Sequence, residues 1–378
     1  MKPTCIAYIN KYEYNCHTCG FSRLNGTRHQ TIKINYYMMN NKILVFLITI
    51  VIILFSCKGK QHKYGNFTGF TQGTTYSIVY QDPVKFKPVT LKEAVEKIFR
   101  DFDMSLSLYK DSSIISKINR NEDVIPDTFF IEVFKKSEEI SLLTDGAFDI
   151  TVGPLVKAWG FGPDEHRSFD RSKLDSLMKL IGFRKVSLSG GRLLKSNPGI
   201  CLDVNAIAQG YSVDVICRYF HGLGMESYLV EIGGEVRVRG DKNGKLWKIG
   251  IDKPADNNFL PGAELQAIIN LKDKALATSG NYRKFYIEDG IKYSHTIDPK
   301  TGYPAKNQLL SATIIAKDCA TADGIATACM VMGKERSMEF ISRNKDFDAY
   351  LVYSDNSGNF MTWISENLRK NISENINN

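Results

Sequence analysis

Apolar positions along the chain change their period several times, and each change predicts an element. The alternating stretch over residues 75–80 predicts a first strand, because side chains two apart share one face of a sheet. Leu91, Ala94, Val95, Ile98, Phe99 and Phe102 then follow helical spacing, which predicts an amphipathic helix laid on that sheet. Further helices are predicted over 129–143, over 206–220 with Asn205 as N-cap, and over 322–332. Strands are predicted over 227–239, 247–251, 264–271, 283–288 and 310–316, with a polar turn at 241–244. Residues 349–353 and 360–364 read as a closing hairpin across Asp355-Asn356-Ser357-Gly358. Strands and helices mixed without regular βαβ alternation predict an α+β fold: mixed or antiparallel sheets with packed helices, two lobes in one compact domain.

The apolar run over 43–55 is of another kind. It is interrupted only by Thr49, follows Lys42 and ends at Ser56-Cys57. A helix needs about 20 apolar residues to span a bilayer, so this run reads as a signal-peptide core, with a short N-terminal anchor helix as the alternative. Leu54-Phe55-Ser56-Cys57 resembles a bacterial lipobox, after which Cys57 is diacylated and becomes the new N-terminus. The organisation expected is a non-native extension over 1–38, a lipoprotein signal peptide over 39–56, a polar tether over 57–66, the folded domain over 67–368 and a frayed Asn-rich tail over 369–378. Such a chain is held on the membrane of a bacterial cell envelope with its domain facing the periplasm.

Charge changes the picture little. The formal charge is +8, but residues 1–56 hold six of the Lys and Arg against one acid, which leaves 43 basic and 40 acidic residues beyond them. A near-neutral remainder with no Lys/Arg-rich run argues against nucleic acid as a partner. Cys16 and Cys19 form a lone CxxC, too few ligands for a structural zinc. Cys201, Cys217, Cys319 and Cys329 stand among apolar or small residues and read as buried free thiols, although an oxidising compartment permits a disulfide.

Candidate chemistry is scattered over several segments. In Thr321-Ala322-Asp323-Gly324-Ile325-Ala326-Thr327 a carboxylate and a hydroxyl lie four apart on one helical face, two hard oxygen donors suited to Mg²⁺. The same pair is explained without a metal if Thr327 bonds back to the carbonyl of Asp323 and Asp323 complements the helix dipole. Asp203-Val204-Asn205-Ala206-Ile207-Ala208-Gln209-Gly210 lies where a strand gives way to a helix, and helix N-termini receive phosphates; a capped core helix is the plainer reading. Val230-Glu231-Ile232-Gly233-Gly234-Glu235 and Ala277-Thr278-Ser279-Gly280-Asn281-Tyr282 read as glycine-containing turns. His295 stands three residues before Asp298 in the polar segment Tyr293-Ser294-His295-Thr296-Ile297-Asp298-Pro299. Tyr109, and the aromatics from Phe148 to Phe161, could clamp a flat ring or simply pack in a core.

The order of these segments is more specific than any one of them. GTTYS, SLY, GAFDITVGPLVKAWGFG, DVNAIAQGYSVD, YLVEIGGE, ALATSGNYR, YSHTIDPKTG and TADGIATA run from about Gly73 to Gly333, and the series resembles the ApbE family of flavin transferases. The lipobox suits that family as well. The resemblance implies Mg²⁺-dependent transfer of FMN from FAD to a Thr or Ser hydroxyl of an exported flavoprotein of a respiratory or ion-pumping redox complex, with AMP released. It implies Asp323, Thr327 and the carbonyl of Ala206 as Mg²⁺ ligands, with Ala326 beside them. Gln72, Tyr109, Ala147, Phe148, Asp149, Asp203, Gln209 and Ile297 match FAD-contacting positions, and His295 matches a base. Gln209 stands where many members have Lys, and Gln72 where Met is common. The same residues would serve a Mg²⁺-dependent FAD pyrophosphatase, which gives the phosphorus to water. A flavin carrier without chemistry is the third reading.

Overall fold

The computed structural model describes residues 62–82, 88–161, 169–254, 262–281, 285–288 and 291–374. The extension, the signal peptide and Cys57 lie outside the described residues. No helix among the described residues is long and apolar enough to cross a membrane.

Strands β1 (Tyr64–Thr71) and β2 (Thr74–Gln81) form a hairpin at one edge of an eight-stranded antiparallel sheet. Its order continues through β5 (Tyr228–Ile232), β6 (Glu235–Arg239), β9 (Ala275–Gly280), β12 (Leu309–Ala316), β13 (Asp348–Ser354) and β14 (Phe360–Ile364). Short strands β3 (Val186–Ser189) and β4 (Arg192–Lys195) pair with each other, as do β10 (Phe285–Glu288) and β11 (Ile291–Ser294). Strands β7 (Trp247–Asp252), β8 (Leu265–Leu271) and β15 (Ile372–Glu374) make a three-stranded sheet against one face of the large one.

Side-chain parity shows how the layers form. On β13, Ala349 and Leu351 join the core under the helices, while Tyr350 and Val352 join the core under the small sheet. On β9, Ala275 and Ala277 face the helices and Leu276 faces the small sheet. Successive side chains leave a strand on opposite faces, so a sheet covered on both faces needs apolar residues at every position. This is why 275–277 shows no alternation; the segment 277–282, read as a turn, begins inside a strand in the middle of the sheet.

The helical layer comprises α1 (Pro88–Leu106), α2 (Ile114–Asn119), α3 (Thr128–Leu143), α4 (Gly153–Ala158), α5 (Leu174–Met178), α6 (Asn205–Gly222) and α7 (Cys319–Arg343). Helix α6 is buried on nearly every side, as is α7 from Cys319 to Met330, so both sit at the centre. Two helix starts differ from the sequence reading. Asn205 is the first helical residue of α6, and the Asp203 carboxylate accepts its N–H at 2.9 Å. Helix α7 begins at Cys319 with Asp318 as N-cap, accepting from Thr321 N at 2.9 Å, so Asp323 lies beyond the first turn. The helical conformation breaks at Gly333 (φ 76°), where Asn307 Nδ2 donates to the Met330 carbonyl at 2.8 Å and satisfies one of the orphan acceptors of that helix end.

The described residues from His62 onward form one compact unit. Order begins earlier than the tether boundary at residue 66, because Tyr64 already pairs with Gln81. It also runs past residue 369. Ile372 pairs with Ile269, and the Tyr350 hydroxyl donates to Glu374 at 2.9 Å, so the expected fraying does not hold up to Glu374. Cys217, Cys319 and Cys329 are buried free thiols, and Cys201 is half-buried and free.

Candidate functional site

A cavity of about 1220 Å³ opens where α1, the β1–β2 turn, the start of α6, the end of β9 and the middle of α7 meet. Single-ligand pockets run about 300–1,000 Å³, so this one can hold a dinucleotide with room for a second reactant. Gln72, Tyr109, Ala147, Phe148, Asp149, Asp203, Ala206, Gln209, His295, Ile297, Asp323 and Thr327 all line it. Residues more than 200 apart in sequence therefore share one chamber. Ala326 is the exception among the described candidates, being fully buried in the core and absent from the cavity wall.

The crossing of α6 and α7 is the tightest part of the wall. A Cβ on Gly210 would lie 2.5 Å from the Cys319 carbonyl oxygen and 2.8 Å from Asp323 Cβ. The Gly210 N–H donates to Asp323 Oδ2 at 3.1 Å. In a helix that N–H also faces the carbonyl four residues back, which is Ala206. The carboxylate of Asp323 and the carbonyl of Ala206 thus converge on one amide. Gly210→Ala should cost about 1–3 kcal/mol by forcing the two backbones apart. Thermal or urea unfolding of the metal-free variant against the parent checks this; unchanged stability would mean the crossing yields freely.

Asp323 is only 7% exposed, and its pKa is raised, first by burial and then by the nearby Asp214 charge, with the Gly210 N–H opposing. Among the described residues Gly210 is its one hydrogen-bond donor, which leaves acceptor capacity facing the cavity. Thr327 Oγ1 lies 3.3 Å from Ser279 Oγ on β9. The explanation of this pair without a metal weakens accordingly. Asp323 does not sit in the first turn, and Thr327 meets a hydroxyl across the cavity wall.

Among the described residues no group of three or more His, Cys, Asp and Glu is placed to hold a metal. The donors that do converge are a carboxylate, a hydroxyl and a carbonyl, all hard oxygens, and they fit Mg²⁺ rather than a softer cation. The wall has the same sign. Glu96, Asp103, Asp149, Asp203, Glu235, Asp252 and Asp323 line the cavity against Arg100 and Lys110, among the described residues. A diphosphate entering such a chamber meets net repulsion unless a cation accompanies it.

Other predicted residues take more specific parts. Asp149 is buried and its carboxylate is used within the loop: Oδ1 accepts from Thr151 N at 2.8 Å and Thr151 Oγ1 at 2.7 Å, and Oδ2 from Phe183 N at 2.8 Å. Burial raises its pKa and these donors oppose the rise. It fixes the segment carrying Ala147 and Phe148 rather than offering a free charge. Tyr109 is 68% exposed at the cavity rim, close enough to Asp203 that the carboxylate helps raise its hydroxyl pKa after burial. His295 is half-buried, edge-on to Phe161 at 6.5 Å. Gln209 Nε2 would lie 2.8 Å from a Cβ on Gly233 (φ 65°), so the glycine turn lets the amide lie across it. The Gln72 side chain sits in the β1–β2 turn, with Ser212 Oγ donating to its Oε1 at 3.4 Å. Sequence reading passed over Glu235 and Ser279 because each stood in a segment taken for an ordinary turn.

Comparison with known proteins places the chain in a family. A model of the ApbE family matches residues 72–351. The "FAD:protein FMN transferase" of Vibrio cholerae serotype O1 is 37% identical over 302 residues, covering 78% of this chain and 89% of that protein. The enzyme of the same name from Haemophilus influenzae is 32% identical over 339 residues, covering 86% and 96%. Among solved structures, the flavin transferase ApbE from Vibrio cholerae superposes with a TM-score of 0.74 at 35% identity, over 82% of this chain and 99% of that one. The apo form of the Pseudomonas stutzeri flavinyl transferase ApbE gives 0.72 at 33% identity, over 81% and 96%.

Proposed function

Because the chain belongs to the ApbE family, we propose that it is a Mg²⁺-dependent FAD:protein FMN transferase acting on a Thr or Ser hydroxyl of an exported flavoprotein. The observation that carries the reading is the convergence of Asp323, Thr327 and the first turn of α6 on one carboxylate-lined cavity of dinucleotide size.

In the reaction, the acceptor hydroxyl oxygen forms a bond to the phosphorus on the FMN side of FAD. The bond from that phosphorus to the oxygen shared with the AMP phosphate breaks, and AMP leaves with the electron pair. The hydroxyl proton passes to a ring nitrogen of His295, the histidine on the cavity wall. Asp323 Oδ, Thr327 Oγ1 and the Ala206 carbonyl would hold the cation. When bound, Mg²⁺ neutralises the diphosphate and polarises the phosphorus. The rim aromatic Tyr109 and the loop around Phe148, locked by Asp149, offer surfaces for the flat rings.

The acceptor is proposed to belong to a respiratory or ion-pumping redox complex outside the cytoplasm. Support comes from the lipobox at Cys57, which would tether the domain to the bilayer on the same side as such an acceptor. Intact mass of candidate acceptors after incubation with the purified protein, FAD and Mg²⁺ tests the activity. One added FMN moiety per acceptor, joined through its phosphorus, is expected. Free FMN and AMP with unmodified acceptors would instead identify a pyrophosphatase, and FAD recovered intact would identify a carrier.

The raised pKa of Asp323 gives the site a pH dependence. A proton on that carboxyl competes with the cation, so apparent Mg²⁺ affinity should fall as pH drops through the raised pKa. Thermal shift on adding Mg²⁺ at pH 8 should exceed that at pH 6. Equal shifts would mean that Asp323 is not the group the cation meets.

A further inference from the structure

The side of α6 that faces α7 carries three groups at four-residue intervals: the Ala206 carbonyl, the Gly210 N–H and the Asp214 carboxylate. The opposing side of α7 carries Cys319 and Ala320, then Asp323, then Thr327, again one turn apart. The two stripes mesh. Asp214 Oδ1 accepts from Cys319 N at 3.0 Å and Oδ2 from Ala320 N at 2.9 Å, while Gly210 meets Asp323 one turn further along.

A carboxylate on the first amides of a helix satisfies two of the donors that have no intrahelical partner. Asp318 already caps this helix from its own chain, accepting from Thr321 N and Thr321 Oγ1. Asp214 therefore adds something a cap does not: it ties α7 to a neighbouring helix at a fixed translation. Asp214 is in turn held by Arg237 of β6, Nη1 to Oδ1 at 2.5 Å, and is itself almost wholly buried. The Cys319 thiol reaches the Val236 and Leu276 carbonyls at 3.6 and 3.8 Å, so the same helix end also touches β6 and β9. Burying the Asp214 carboxylate against a half-buried Arg237 costs desolvation that packed apolar residues would avoid, and fixing a register is the best-attested return for that cost.

We infer that Asp214, clamped by Arg237, is a positioning residue: it sets the register of α7 against α6 and so places Asp323 and Thr327 opposite the Ala206 carbonyl. This rests on the reading of those three as the Mg²⁺ ligands. A slip of α7 by a single residue would turn Asp323 off the Gly210 amide by about 100° of helical rotation.

The test is Mn²⁺ binding, followed by loss of the free-ion electron paramagnetic resonance signal and competed with Mg²⁺. The proteins are the wild type, D323N, D214N, the charge-balanced D214N/R237M and, as control, D318A. All are compared at a temperature where circular dichroism shows them folded. Groups that orient metal ligands typically change affinity by about 10- to 100-fold, and weakening in that range is expected for D214N and for the double variant. The double variant leaves no unpaired buried cation, so it reports on register even if D214N alone does not fold. D318A should lower the melting temperature while leaving Mn²⁺ affinity within about twofold, because it loosens the helix start while keeping the Asp214 bonds to the Cys319 and Ala320 amides. Wild-type affinity in folded D214N or D214N/R237M, with D323N still defective, overturns this inference alone. Equal weakening in D318A also overturns it, by showing that any loosened helix end suffices. Absence of binding in the wild type, or full binding in D323N, overturns the metal reading and this inference with it.

Discussion

Asp323→Asn is expected to abolish flavin transfer, by at least about 10³-fold, and to remove its dependence on Mg²⁺. Charge neutralisation at a transferring phosphoryl group is worth several kcal/mol, and each 1.36 kcal/mol is a factor of ten. The variant should nevertheless stay folded. Burial raises the Asp323 pKa, so the folded state holds a proton there that the unfolded chain has already lost. Stability from this group is present below the unfolded pKa and fades as pH rises through the folded one. Above that point the wild type bears an ionised carboxylate that the asparagine variant lacks, so without Mg²⁺ the variant should melt no lower than the parent. Adding Mg²⁺ should raise the melting temperature of the wild type and leave the variant unmoved. Transfer measured by acceptor mass, beside the two melting curves, checks all of this; retained Mg²⁺-dependent turnover would remove Asp323 from the ligand set.

His295→Ala is expected to slow transfer by about 10²- to 10⁴-fold, the usual worth of a positioned general base, while FAD binding stays close to the parent value. The imidazole lies on the cavity wall against Phe161, where it can reach an incoming hydroxyl without being needed to fill the core. Flavin fluorescence titration gives the binding, and single-turnover mass analysis gives the rate. If FAD affinity and rate fell in parallel, His295 would be supporting the pocket rather than accepting the proton. Taken with Asp323→Asn the two variants separate roles, because only the asparagine variant should lose its response to Mg²⁺.

Much of this could be read from the chain alone. The four-residue spacing of Asp323 and Thr327 put both oxygens on one helical face, and the cavity does contain both. The amphipathic run from Leu91 to Phe102 became α1, and the hairpin across Asp355 to Gly358 became β13 and β14. Local rules failed where burial was two-sided or where a partner came from afar. Residues 275–277 lack alternation because both faces of β9 are covered there, and the Thr-Ser-Gly that follows made the segment 277–282 look like a loop although the strand runs to Gly280. Asn205 has cap chemistry but lies one residue inside α6, and the nearby Asp203 carboxylate takes its amide. Ala326 shares the helix of the proposed ligands yet faces the core, which the spacing alone did not separate.

What the sequence determined by itself was most of the long elements and the α+β class, because these depend on period, caps and residue chemistry within a few positions, while the order of its motifs carried the family. What only the tertiary structure decided was their meeting. Gly210 and Asp323 are 113 residues apart, and their contact exists because a glycine lets two central helices cross at backbone distance. No local pattern encodes which helix will face which, since that choice is made by packing the whole layer at once.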